Sequence, residues 1–126
     1  MPPKKAPRQI GSIGEELAVL HLTESGYRVL ERNYRCPFGE MDIVALHGES
    51  VVFVEVKSRR SGRFGVPQSA VGIKKQATLS KIALYYLKEK RLRGSRARFD
   101  VVAVRILPEG NHIDLIKNAF DLSFGW

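Results

Sequence analysis

Cysteine occurs once in the 126 residues, at Cys36. A single thiol excludes an internal disulfide and a Cys-x-x-Cys metal knuckle. No histidine stands near it in sequence to activate it as a nucleophile, so it reads as a small loop residue beside Pro37. Long apolar runs are missing as well. No stretch approaches the roughly 20 residues that a membrane-spanning helix needs, which argues against a membrane partner. The basic, proline-rich opening from Met1 to Gln9 leads into no apolar signal core. It reads as a flexible arm, with residues 10–126 as a single domain and the cytoplasm as the expected location. Acidic residues are in short supply too: 13 Asp and Glu face 21 Lys and Arg, for a formal net charge of +8 and a pI near 9.9. That excess favours a polyanionic partner, because cations that neutralise phosphates release condensed counterions. Charge alone fits an ordinary basic protein equally well.

What is present is globular, 44% hydrophobic and 27% charged, in a chain long enough for one core. Ser12-Ile13-Gly14-Glu15 has the form of a capping box opening a helix through about Ser25, with Gly26 as its stop. Tyr27 to Asn33 follows as a short strand. Glu40 to Leu46 and Val51 to Lys57, rich in valine, isoleucine and phenylalanine, read as a hairpin across His47-Gly48-Glu49-Ser50. Arg59 to Gly72 carries glycines, a proline and arginines without periodicity and reads as a basic loop. A long helix is expected over Ile73 to Arg91, with Ile73, Ala77, Ser80, Ala83, Leu84 and Leu87 along one side. Phe99 to Ile106 and Ile113 to Lys117 complete the set as strands. The order αβββαββ implies an α/β layered domain with a central mixed β-sheet flanked by helices.

The hairpin carries the chemistry. Side chains alternate between faces along a strand, so Asp42 shares a face with Glu40, Val44 and Leu46, and Glu55 with Val51, Phe53 and Lys57. If Leu46 pairs with Val51, then Asp42 faces Glu55 and Glu40 faces Lys57. Opposed side chains have Cβ atoms about 4.5 to 5.5 Å apart, and like charges placed so are destabilising. A divalent cation would offset the repulsion, since Mg²⁺ is commonly held by one or two carboxylates plus water and phosphate oxygens. Lys57 would then reach a scissile phosphate or the attacking water, as metal-assisted phosphodiester hydrolysis requires. The competing reading leaves Glu55 on an exposed sheet face, paired with Lys57 or Lys75. Against it, both strands are apolar on both faces, as covered strands are. A register slip of one residue would separate the two acids.

Gly39-Glu40-Met41-Asp42-Ile43-Val44-Ala45, followed by Phe53-Val54-Glu55-Val56-Lys57-Ser58-Arg59, resembles the split acid and Glu-x-Lys signature of the restriction-endonuclease-like superfamily. Together with Gly14-Glu15, Gly26-Tyr27, Asn33-Tyr34-Arg35 and Arg98-Phe99-Asp100-Val101-Val102, the series resembles the YraN family of bacterial proteins, which are similar to archaeal Holliday-junction resolvases. The resemblance implies a restriction-endonuclease-like core and one Mg²⁺ or Mn²⁺ site formed by Asp42, Glu55 and the backbone carbonyl of Val56. It gives Lys57 the lysine role and Glu15 that of the helix acid in resolvase-type members. Glu15 is equally suited to be the capping-box partner of Ser12. Gln76 matches a glutamine frequent on the following helix of such nucleases, and a buried or capping role fits it as well.

Phosphate contacts are expected from Arg59, Arg60 and Arg63, on the loop that leaves the acid pair, with its glycines allowing close backbone approach. Lys74, Lys81 and Lys88 recur every seven residues along the second helix with Tyr85 beside them; such a stripe is ordinarily a solvated face. Contacts of this kind position nucleic acid without reading its sequence. His21, His47 and His112 lack metal-ligand spacing and read as surface residues, and Tyr27, Tyr34 and Phe99 as core. Two functional readings follow: a metal-dependent endonuclease acting on DNA, including branched forms and in homodimeric form for a four-way junction, and a catalytically silent module that binds nucleic acid or docks onto a DNA-processing protein.

Overall fold

A computed structural model describes residues 10–60 and 71–121. Along them run α1 (Ile10–Glu24), β1 (Arg28–Cys36), β2 (Gly39–His47), β3 (Ser50–Arg59), α2 (Ile73–Glu89), β4 (Arg96–Leu107) and β5 (Gly110–Phe120). The strands form one five-stranded sheet in sequence order. Every neighbouring pair is antiparallel except β3 and β4, which are parallel. A parallel pair needs a crossover of a dozen or more residues, and α2 supplies it. The α/β order αβββαββ and the mixed sheet flanked by helices are therefore as expected.

Each helix covers one face. Ala18 and Leu22 of α1 pack on Ile43, Ala45, Val52, Val54, Val102 and Val104. Leu79, Ile82 and Tyr86 of α2 pack on Met41, Val44, Phe53, Phe99 and Val101. Alternation along β3 sends Val51 and Phe53 to the α2 side and Val52 and Val54 to the α1 side. Coverage on both faces explains why this hairpin is apolar at nearly every position. The hairpin register is the expected one, with Leu46 opposite Val51 and Val44 opposite Phe53. Its turn is shorter than expected, because His47 and Ser50 already pair and only Gly48 and Glu49 lie between. Gly48, at φ +62°, supplies the left-handed conformation that such a two-residue turn requires.

Three expectations are corrected. The strands outrun their sequence-based limits, and β3 takes in Arg59. Helix α1 begins at Ile10, upstream of Ser12, so Ser12 is no N-cap and the capping box is not formed. In α2, Ile73 is 83% exposed and the first turn stands clear of the core, whose contacts come from Leu79, Ser80, Ile82, Ala83, Tyr86 and Leu87. The N-terminal arm and Arg63 lie outside the described residues.

Candidate active site

The paired stretch of β2 and β3 runs from His47–Ser50 to Ile43–Val54. Asp42 and Glu55 are the next residues on. There the Asp42 carboxylate takes over from the backbone: Oδ2 accepts the Val56 N–H at 2.8 Å. Glu55 continues the Val51 and Phe53 face beneath α2 and is only 6% exposed. Its Oε2 lies 3.0 Å from Lys75 Nζ, in the first turn of α2, and 3.6 Å from Lys57 Nζ. Both lysines of the competing reading are thus partners of Glu55, but the carboxylate is buried and not on an exposed sheet face. Glu40, expected opposite Lys57, is exposed and instead lies 3.6 Å from Arg35 across the β1–β2 pair.

Charge at this point is under tension. Burial pushes the Asp42 carboxyl up from 3.8 to about 7, the Glu55 carboxylate beside it adds to the rise, and the Val56 N–H pulls the other way. Glu15 contributes a further, smaller upward push, so three acids converge on the end of the hairpin. Among the described residues, no cluster of three or more His, Cys, Asp or Glu side chains has metal-binding geometry. A cation here would rest on two carboxylates with backbone and water oxygens, a donor set that suits Mg²⁺ or Mn²⁺ and not zinc.

Glu15 reaches the site because α1 lies unusually close to β3. A Cβ on Gly14 would collide with Ser58 Oγ and stand 2.9 Å from Ser58 Cβ. Glu15 Oε2 accepts from Asn33 Nδ2 at 3.1 Å and lies 3.5 Å from Arg32 Nε. Asn33 holds a left-handed φ of +54°, which asparagine tolerates better than most residues. These two β1 residues, and not a helix cap, claim the Glu15 side chain. Sequence reasoning did not connect them to Glu15, although Asn33 stood in the resemblance series.

The remaining candidates spread along the adjoining surface. Arg59 and Arg60 are exposed at the end of β3, and Lys74 is exposed in the first turn of α2. Gln76 donates from Nε2 to the Val71 carbonyl at 2.9 Å, which ties the side chain to the segment entering α2 without capping the helix, whose N-cap Gly72 has no side-chain partner. His47 is not a free surface residue. It stacks on Tyr27 at 4.2 Å, and its Nδ1 lies 2.9 Å from Arg98 Nη2. Arg98 in turn pairs with Asp100, fully buried, which also accepts from Tyr27 Oη and from the Asn118 N–H. This polar cluster was invisible in the sequence, apart from the Arg98-Phe99-Asp100 run.

Fold and site together define an α/β domain in which a β-hairpin, backed by a helix on each face, presents two acids and one lysine at one end of a mixed sheet, with a second lysine added from α2. The chain belongs to the uncharacterised protein family UPF0102, whose profile matches residues 14–104. It is 59% identical over 115 residues to a UPF0102 protein of Syntrophus aciditrophicus, covering 91% of both chains. It is also 50% identical over 115 residues to one of Moorella thermoacetica, covering 90% of this chain and 96% of the relative. Among solved structures, an EndoMS-dsDNA2 complex matches with a TM-score of 0.47 and 18% identity over 87% of this chain and 42% of that one. SfsA of Pyrococcus furiosus in complex with Ca²⁺ matches with a TM-score of 0.38 and 18% identity over 85% of this chain and 60% of the other. No described helix is long and apolar enough to cross a membrane.

Proposed function

We propose that the protein is a metal-dependent endonuclease that hydrolyses phosphodiester bonds in DNA, with branched or structured DNA as its substrate class. The observation that carries this reading is the acid pair at the end of the hairpin: Glu55 is buried with Lys57 Nζ 3.6 Å away, and the half-buried Asp42, which accepts the Val56 N–H, is raised to about 7 by burial and by the Glu55 carboxylate. An acid pair at the end of a covered hairpin is costly unless a cation or a function goes with it.

Asp42, Glu55 and the Val56 carbonyl are the groups that would hold Mg²⁺ or Mn²⁺. The ion, when bound, would supply Lewis-acid stabilisation of charge developing on the phosphate. Lys57 would orient the attacking water and offset phosphate charge through its ammonium group. Lys75, now 3.0 Å from Glu55, would be free to turn toward the same phosphate once Glu55 has another positive partner. Glu15, fixed by Arg32 and Asn33, would add negative charge on the far side of the site, in line with its upward push on Asp42. Arg59, Arg60 and Lys74 would position the backbone.

A second reading rests on the same pair of lysines. Lys57 and Lys75 already neutralise Glu55 without any ion, as a silent binding module would require. The test is cleavage of flap, fork, four-way-junction and single-stranded substrates in Mg²⁺ or Mn²⁺. Asp42→Asn and Glu55→Gln are expected to lower cleavage at least a hundredfold, on the order of 3 kcal/mol of transition-state stabilisation, while binding survives. Variants that cut as well as the parent would rule the endonuclease out. Binding without cleavage on every substrate would select the module.

A further inference from the structure

Helix α2 carries a line of cations of which only the first, Lys74, adjoins the acid site. Lys74, Lys81 and Lys88 are exposed, and none forms an ion pair with a described residue. Their seven-residue spacing keeps them on one side of the helix, about 10 Å apart and roughly 21 Å end to end. Between the last two stands Tyr85, 36% exposed. Beside it, from a different part of the chain, stands Phe38 at the β1–β2 turn, 50% exposed. The two rings meet edge to face, with centroids 6.1 Å apart and planes at 75°. The turn is seated against α2 at this point: a Cβ on Gly39 would stand 3.3 Å from Ile82 Cδ1.

A lone exposed aromatic needs no explanation. Two of them, brought together from separate elements and set among exposed lysines, form a surface with a chemistry of its own. Base faces are available only in unpaired nucleic acid, where successive bases stack on aromatic rings while cations track the backbone. A duplex hides its base faces and would call for the cations alone. A carboxylate, Glu89, shares a shallow depression with Tyr85 and Lys88, but its Oε1 is engaged by the Tyr34 hydroxyl at 2.8 Å. The line also has a direction. Lys74 adjoins Lys75, whose ammonium touches Glu55, so the stripe starts at the acid pair and runs away from it.

We infer that Phe38, Tyr85 and the Lys74–Lys81–Lys88 stripe bind an unpaired nucleic-acid strand, holding the single-stranded arm of a branched substrate whose junction lies at the acid pair. This deepens the endonuclease proposal and rests on it for its orientation. At about 3.4 Å per phosphate along a stacked strand, the stripe spans on the order of six phosphates.

The experiment compares the full chain with a Phe38→Ser, Tyr85→Ser double variant and a Lys81→Gln, Lys88→Gln double variant. Binding of a fluorescein-labelled oligothymidylate and of a blunt duplex of equal length is read by anisotropy in chelator. Cleavage of a splayed fork is followed in parallel in Mn²⁺. The aromatic variant is expected to lose about tenfold in oligothymidylate affinity and to hold the duplex within twofold of the parent. The lysine variant should lower the single-strand salt slope by about 1.4, at roughly 0.7 per phosphate contact. Both aromatics are exposed, so the thermal midpoint should not move. If it does, Tyr85→Phe with Phe38→Tyr keeps the rings, and parental single-strand binding is required of it. An aromatic variant that binds oligothymidylate like the parent, or loses the duplex equally, overturns the inference, and the former would mark the face as a protein-docking surface. A parent that never cuts, paired with an aromatic variant that loses single strands, ends the endonuclease proposal and leaves the strand track standing. A cutting parent with unaltered variant binding does the reverse.

Discussion

Asp42 is pulled in opposite directions. Burial and then the Glu55 carboxylate favour its neutral form, the Val56 N–H favours the anion, and the first two prevail, lifting it from 3.8 to about 7. Unfolding returns the carboxyl to its ordinary range. Between those limits the folded chain keeps a proton that the unfolded chain has released. The contribution to stability is therefore fully present below about pH 4 and is lost as the pH rises through about 7. In chelator, this residue should cost on the order of 3 kcal/mol of unfolding free energy between about pH 4 and pH 8. Asp42→Asn should flatten that slope and be the more stable protein at about pH 8, as read by urea titrations across the range. A slope that the substitution leaves unchanged would assign the effect to another group. Mg²⁺ added at the upper pH should stabilise the parent and not the variant, since only the parent offers both carboxylates. That Asp42, Glu55 and Lys57 gather at the end of the hairpin was legible in the sequence from the two strands and their short turn, although alternation breaks beside Asp42, where Met41 and Ile43 lie in opposite cores. The partners of Glu15 were not: Arg32 and Asn33 lie 17 and 18 residues away and reach it through a left-handed backbone position that no pattern announces.

Among the elements, α1 sets how accurately the acids converge, and its contact with β3 is made by an absent side chain. Gly14 in the middle of a helix forfeits roughly 1 kcal/mol of propensity relative to alanine. Alanine there would nonetheless meet Ser58 at both Oγ and Cβ. Gly14→Ala should accordingly destabilise the protein by about 1 to 3 kcal/mol and reduce cleavage by displacing Glu15. Pairing it with Ser58→Gly should recover part of both losses, and a gain in thermal midpoint from Gly14→Ala alone would contradict the close approach. At the far side of the same face, Asp100 ties four elements: Tyr27 before β1, Arg98 on its own strand β4 and through it His47 of β2, and the Asn118 N–H of β5. Asp100→Ala would leave the Tyr27 hydroxyl, the Asn118 N–H and the half-buried Arg98 guanidinium without their shared acceptor, at a cost of about 1 to 3 kcal/mol in denaturant melts, whereas Tyr27→Phe should cost about 1 kcal/mol. Element types and order were readable from periodicity and turn chemistry. Helix faces were not read as well. The stripe through Ile73 assumed that α2 packs from its first residue, whereas its first turn overhangs the sheet and the core is met only from Leu79 onward.

For the whole molecule, the +8 charge acts on association and not on the fold. Arg59 ends β3 two residues beyond Lys57 and Arg60 follows it, both exposed, which suits them to the proposed backbone contacts. On the proposed reading, the exposed cations and the acids should separate cleanly in the salt dependence of duplex affinity. Each phosphate contact contributes about 0.9 to the slope of log affinity against log salt. Replacing Arg59 and Arg60 by glutamine should therefore lower the slope by about 2 and weaken all duplex sequences alike. Asp42→Asn and Glu55→Gln remove negative charge from beside the expected path of the strand. They should leave the slope as it is and bind at least as tightly as the parent, while cutting nothing. A slope that falls with the acid variants would mean that a metal bridge, and not the basic rim, carries most of the affinity. A slope indifferent to Arg59 and Arg60 would move the backbone contacts elsewhere on the basic surface.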